Sequence, residues 1–221
     1  MTVIVTAGMI ASGKTTVAEL ISKELDSEMF YESVDDNPIL PLFYQASDEE
    51  IESNRYPFLL QLYFLNSRFD QIKDAYHDRN NTLDRSIYED WYFAKVNHDL
   101  GRINDLEFSI YESLLNNMMQ ELETLPQKAP DIMVYLRASF ETILFRIGLR
   151  GRDFEIDEEL KDYYYALWKG YDDWVMNHYD KSDVVIIDMD KVDVETSEID
   201  AQMVIDKVKA KLAERDEKAG A

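Results

Sequence analysis

The chain of 221 residues contains no cysteine, which removes disulfides, thiol nucleophiles and thiolate metal sites together. Its three histidines (His77, His98 and His178) are far apart and lack ligand spacing, which argues against a zinc site. Basic residues are scarce: 23 Lys and Arg stand against 45 Asp and Glu, for a formal net charge of −22. So acidic a body argues against nucleic acid or an anionic membrane as the main partner. A phosphorylated ligand must instead be held by a local cluster of cations. No apolar run approaches the length of a bilayer span. The apolar start, MTVIVTAGMIA, has no basic n-region and is interrupted by a glycine-lysine loop, so it reads as a buried first strand. The expected location is the cytosol.

What is present is an ordinary globular composition, 46% apolar and 31% charged. The length fits one large domain spanning residues 1–221. Short apolar runs at 2–7, 29–32, 81–84, 131–136 and 183–188 read as five strands. Their continuous rather than alternating apolar character suits a parallel sheet covered on both faces. Helical patterns fall at roughly 14–25, 55–79, 104–123, 139–149, 157–178 and 196–213. The βαβα order predicts an open three-layer α/β sandwich. No repeat or linker interrupts it, and the tail ERDEKAGA is expected to fray.

Residues 8–15, GMIASGKT, match G-x-x-x-x-G-K-[ST] without a gap, between a predicted strand and a predicted helix. Gly8 and Gly13 permit turns that aim the N–H groups of Met9, Ile10, Ala11 and Ser12 inward, an anion nest at a helix N-terminus that Thr16 continues. Lys14 supplies charge to the outer phosphates, and the Thr15 hydroxyl is placed to ligate Mg²⁺. This predicts a nucleoside-triphosphate site.

Three further constellations follow. Glu32 ends the strand before VDDNP, and a carboxylate at such a strand end can take a proton from an attacking hydroxyl, although strand-end glutamates are more often structural. In LDRSIYED, Asp84 can help hold Mg²⁺, Arg85 can stabilise the transferring phosphoryl group, and Asp90 follows one helical turn on. The same octapeptide equally fits an Asp–Arg ion pair at a helix start capped by Ser86. In RIGLRGRDFE, Arg146 and Arg150 share a helix face and Arg152 follows a glycine. This is the pattern of an arginine-rich lid, around 146–156, that closes over phosphate. Within the apolar helix 55–72, Gln61 and Arg68 are seven residues apart on one face. They either pair with protein groups or read a ligand.

With GMIASGKTT, FYESVDDNPILPLFY, FLLQLYFLNSR, DRSIYED, RGRDFE and a late DMDKVD in this order, nearly the whole chain resembles the deoxynucleoside kinases, most closely their bacterial deoxyadenosine/deoxyguanosine kinase branch. The resemblance implies a P-loop NTPase fold, ATP and Mg²⁺, a purine deoxynucleoside acceptor in nucleotide salvage, and a homodimer or a heterodimer with a related subunit. Position by position, Glu32 matches the carboxylate that activates the 5′-hydroxyl, with Asp84 the runner-up as base and linked to the metal. Arg85 matches the arginine beside that carboxylate. Tyr44 and Glu155 match residues holding the sugar 3′-hydroxyl, Gln61 the amide that reads the base, and Arg68 and Asp90 a coupled pair at the base edge. Arg146, Arg150 and Arg152 match the lid and its base, and the donor's adenine is expected near Asp188–Asp193. Two departures stand out. Glu32-Ser33-Val34 replaces the Glu-Pro-Val of many animal members, which leaves the substrate-side turn open. Ala94 replaces a bulky aromatic and implies room for a purine.

Two rivals remain. A nucleoside-monophosphate kinase of the thymidylate kinase type shares the loop and the Asp-Arg pair, but it needs an arginine for the acceptor's phosphate where Glu32 and Glu155 stand. A nucleotide-binding switch needs a base-reading Asn-Lys-x-Asp, which is absent.

Overall fold

The five apolar runs become strands β1 (Val3–Gly8), β2 (Glu28–Phe30), β3 (Asn81–Asp84), β4 (Ile132–Arg137) and β5 (Asp183–Asp188). The computed structural model describes residues 2–32, 34, 36–77, 80–125, 127 and 129–219. The strands form one parallel sheet in the order β2-β3-β1-β4-β5. Both faces are covered: every residue of β1 and β3 is buried, which accounts for their lack of alternation. Because all strands run the same way, their carboxyl ends share one edge. The register places Thr6 beside Asp84, Gly8 beside Leu136, and Arg137 beside Asp188. The expected strand over 29–32 ends at Phe30, so Glu32 lies just beyond the sheet.

Helix α1 (Lys14–Leu25) buries Val17, Ala18 and Ile21 along one stripe. Short helices α2 (Leu40–Gln45) and α3 (Asp48–Asn54), absent from the sequence reading, carry the chain into α4 (Tyr56–Ala75). Helix α4 is not apolar-buried all round: Pro57, Leu60, Gln61, Leu65, Arg68, Ile72 and Ala75 form the buried stripe, while Leu59 is exposed. Helix α5 (Ile87–Asp99) also escaped the pattern, because its buried face includes Glu89, Asp90 and Asn97 and so shows no apolar period. Helices α6 (Asp105–Leu122) and α7 (Phe140–Arg150) lie close to their expected spans.

The single helix expected over 157–178 divides into a 3₁₀ turn (Glu158–Leu160), α8 (Lys161–Asp173) and a π-helical turn (Trp174–His178). The last helix, α9 (Glu198–Ala219), continues through most of the tail expected to fray. The reason is anchoring: Arg215 reaches the buried Asp131 carboxylate, which also accepts from the Val3 N–H at 2.6 Å, and Lys211 pairs with Asp183 at 3.0 Å.

Candidate active site

The phosphate loop leaves β1 at Gly8, where a Cβ would sit 2.7 Å from both the Leu136 carbonyl and Ser12 Oγ. Only glycine fits there. Gly13, at φ +96°, caps α1 in a left-handed conformation that side chains disfavour. Ala11, at φ +60°, is also left-handed without being glycine. The Ser12 N–H and Lys14 Nζ both donate to the Met9 carbonyl, at 3.1 and 2.9 Å. Lys14 is buried. Burial, then the nearby Arg85, lower its ammonium to about 8, against the pull of Asp84, Glu32 and Glu89.

The end of β3 supplies Asp84 and Arg85. Thr15 Oγ1 donates to Asp84 Oδ2 at 2.5 Å, which joins the loop to β3. Asp84 Oδ1 is buried and accepts no hydrogen bond from the described residues. Burial and the neighbouring Glu32 raise the Asp84 carboxyl above its ordinary value. Arg85 adopts φ +75°, a left-handed backbone for a long side chain. Its Nε donates to Glu32 Oε1 at 2.6 Å, and its guanidinium lies 4.5 Å from the centre of the Phe93 ring.

Glu32 is thus the centre of a charged floor. The same Oε1 also accepts from Arg68 Nη2 at 3.1 Å. Burial opposes its ionisation, but Arg85, Arg68 and Lys14 outweigh burial and hold the carboxyl down to about 2. Arg68 gives Nη1 to the Asp84 carbonyl at 2.7 Å and Nε to Asp90 Oδ2 at 3.3 Å. The expected Arg68–Asp90 pair therefore exists, and Arg68 ties it to Glu32 and β3 as well. Burial raises the Asp90 carboxyl to about 6 despite Arg68 and Arg85.

A cavity of about 900 Å³ opens over this floor. Lys14, Thr15, Glu32, Arg85, Tyr44, Gln61, Phe64, Phe93 and the segment Met189 to Glu195 line it. Gln61 is 2% exposed and lines this cavity. Arg68 and Asp84 sit behind the lining. Tyr44 stacks on Phe154 with ring centres 5.7 Å apart.

Arg146, Arg150 and Arg152 all line this cavity, but Arg146 has partners different from those of the other two. Arg146 bridges backbone carbonyls, of Ser12 at 2.8 Å and of Met189 at 3.2 Å, and so bolts α7 to the phosphate loop and to the end of β5. Arg150 and Arg152 instead approach Glu155, at 3.7 and 3.3 Å. The turn at Ser33 and the neighbouring Asp35 lie outside the described residues, as do the end of the helix expected over 55–79 and the last two residues of the tail. Sequence reasoning missed Glu89, whose buried carboxylate accepts from the Gly8 N–H at 3.1 Å and from the Tyr171 hydroxyl. Its signal was present as the capping box S-x-x-E at Ser86.

Comparison with known proteins places these features in a family. The family model for deoxynucleoside kinase matches residues 4–213. A deoxyguanosine kinase from Lactobacillus johnsonii is 48% identical over 217 residues, 97% of this chain and 94% of that protein. A deoxyadenosine kinase from Lactobacillus acidophilus is 41% identical over 96% of this chain and 97% of its own. Among solved structures, the deoxyadenosine kinase of M. mycoides with bound dATP superposes with a TM-score of 0.75 at 29% identity, covering 96% of this chain and 99% of that one. The same enzyme with bound dCTP gives 0.76 at 31% identity, over 94% and 99%.

Proposed function

The chain belongs to the deoxynucleoside kinase family, and on that premise we propose that it moves the γ-phosphoryl group of ATP to the 5′-hydroxyl of a purine deoxynucleoside, deoxyadenosine or deoxyguanosine. The observation that carries this reading is that one cavity is lined by the phosphate loop, by Glu32 and Arg85, and by Tyr44, Gln61, Phe64 and Phe93. The sequence relatives named deoxyguanosine kinase and deoxyadenosine kinase support the purine.

In this reading Gly8 to Thr16 and Lys14 hold the ATP phosphates, and the Met189–Val194 side of the cavity receives the adenine. Tyr44 and Glu155 hold the sugar, and Gln61, backed by Arg68 and Asp90, reads the base. Glu32, ionised at any physiological pH, accepts a hydrogen bond from the 5′-hydroxyl and orients its oxygen for in-line attack. The transition state is loose and the proton leaves late, so a weakly basic carboxylate fixed in place serves better than a strong base left mobile. Arg85 and the lid, 146–156, meet the charge of the transferring group. The lid closes as part of one kinase domain over 1–221.

Mg²⁺ fits the donor set. Among the described residues no cluster of three or more His, Asp or Glu is placed to hold a metal alone. The Thr15 hydroxyl and the unbonded, buried Asp84 Oδ1 nevertheless offer the hard oxygens that bind this ion together with phosphates. When bound, Mg²⁺ neutralises charge on the outer phosphates. A cytoplasmic, dimeric salvage enzyme completes the reading. No helix among the described residues is long and apolar enough to cross a membrane.

A monophosphate acceptor is disfavoured because the floor arginines Arg68 and Arg85 are already committed to Glu32. The test is ATP-dependent phosphorylation, with Mg²⁺, of deoxyadenosine, deoxyguanosine, deoxycytidine, thymidine and thymidine monophosphate. Fastest conversion of a purine deoxynucleoside is expected. Reaction of the monophosphate alone would overturn Glu32 as the acceptor's partner.

A further inference from the structure

Glu89 has no role in the reaction as described, yet its carboxylate is completely buried. Its two oxygens serve different ends. Oε2 accepts from the Ser86 N–H at 2.9 Å and the Ser86 hydroxyl at 3.3 Å, which completes the capping box of α5. Oε1 accepts from the Gly8 N–H at 3.1 Å, from Arg85 Nη1 at 3.4 Å and from the Tyr171 hydroxyl. Capping a helix does not require this second set. In the capping box of α3, the Glu50 carboxylate serves Ser47 and nothing else among the described residues, and does so in the open. A buried carboxylate is costly unless charge and hydrogen bonds compensate it, and here the compensation comes from the phosphate loop and the phosphoryl-facing arginine.

We propose that Glu89, braced by Tyr171, is a positioning residue that holds Arg85 and the start of the phosphate loop in one frame. Three observations support it. First, Arg85 occupies a left-handed backbone conformation, which persists only where the surroundings over-determine it. Its N–H is fixed to the Thr6 carbonyl at 3.0 Å, its Nε to Glu32 and its Nη1 to Glu89. Removing the last of these leaves the guanidinium held by Glu32 alone.

Second, Gly8 is the last residue of β1 and the first of the loop, so an acceptor on its N–H sets where the nest begins. Third, Tyr171 is itself fixed. It stacks parallel on Tyr135 of β4 with ring centres 5.7 Å apart and meets Tyr92 and Trp174 edge-on at 5.0 and 5.8 Å. Burial, then the Glu89 charge, push its hydroxyl well above the ordinary value, so it remains a donor. Sheet, α5 and α8 thereby converge on one oxygen atom.

The inference rests on the reading of Arg85 given above, so the test includes that residue. kcat and KM for ATP and for the preferred purine deoxynucleoside are measured, per folded protein, for Tyr171→Phe, Glu89→Gln, the double variant and Arg85→Lys. Tyr171→Phe is expected to lower kcat at least about threefold with both KM values within about twofold, and Glu89→Gln by about 30-fold or more. Because both act through Oε1, the double variant is expected to match Glu89→Gln within about twofold rather than multiply the two losses. A smaller kcat loss in Tyr171→Phe, or multiplied losses in the double variant, with Arg85→Lys impaired, overturns the inference alone. Full turnover in Arg85→Lys overturns the reading on which it rests. Tyr171→Phe keeps the fold's packing, so the inference stays decidable even where Glu89→Gln fails to fold.

Discussion

The floor and the lid of the cavity are built from the same two side chains, arginine and glutamate, and hold them in opposite ways. In the floor, Arg68 and Arg85 are 2% and 6% exposed and converge on Glu32 at 3.1 and 2.6 Å. In the lid, Arg150 and Arg152 are 35% and 25% exposed and reach the buried Glu155 at 3.7 and 3.3 Å. Short, buried, multiply bonded pairs are fixed before substrate arrives; longer, wetter pairs exchange partners at little cost. The floor thus holds pre-organised charge, whereas the segment proposed above as a lid holds its arginines in pairs to Glu155 that are more easily exchanged.

Glu32→Gln tests this contrast most severely. It removes the charge that both floor arginines share and the hydrogen-bond acceptor proposed for the 5′-hydroxyl. A kcat loss of about 10³-fold is expected, with ATP affinity kept within about threefold because the phosphate loop is untouched. Near-normal kcat would remove Glu32 from the transfer.

Arg152→Ala probes the other side. With the lid proposed above, loss of one charge-assisted contact made on closure is expected to lower kcat by about 10- to 30-fold and barely change the nucleoside KM. Equal losses in the two variants would erase the distinction between floor and lid, and unchanged kinetics would take Arg152 out of the lid.

The floor was more legible in the sequence than the forces within it. The phosphate loop is contiguous, and its glycines are required by local geometry, so eight residues sufficed. The strands were readable because burial on both faces leaves an unbroken apolar run. Partnerships are another matter. Glu89 finds Gly8 and Tyr171, 81 and 82 positions away, and Arg146 finds Ser12 at a separation of 134. Nothing local specifies such choices. The buried polar face of α5 likewise hid a helix whose capping box was in plain view, because periodicity is read from apolar residues. The three arginines of 146–152 line one cavity as their sequence proximity suggests, but that proximity could not tell that Arg146 binds backbone carbonyls while Arg150 and Arg152 share Glu155.

Lys14 sharpens the picture by titration. Burial, reinforced by Arg85, brings its ammonium down to about 8, so the charge is present below that pH and lost above it. Only the ammonium form binds phosphate, so kcat/KM for ATP is expected to fall as pH rises through about 8, by about tenfold at pH 9. A profile flat to pH 9.5 would mean that Lys14 keeps its proton despite burial.

The smallest effect is a difference between two floor carboxylates, read as stability. Glu32 is held at about 2 in the folded chain, below its unfolded value of about 4.3. Its contribution is therefore complete above about pH 4.3 and lost as pH falls toward 2. Asp90 runs the other way, with about 6 in the folded chain against about 3.9 unfolded. Between those values the folded state keeps a proton that the unfolded state has released, so its contribution falls as pH rises from about 4 to 6 and stays lost above. Asp90→Asn is neutral at every pH and escapes that loss. The Tm difference between Asp90→Asn and the unaltered protein is thus expected to shift in favour of the variant by about 2–4 °C between pH 5 and 7.5. Equal differences at the two pH values would mean that Arg68 keeps Asp90 ionised throughout. The floor would then hold two permanent carboxylates against its arginines, with no proton left to release.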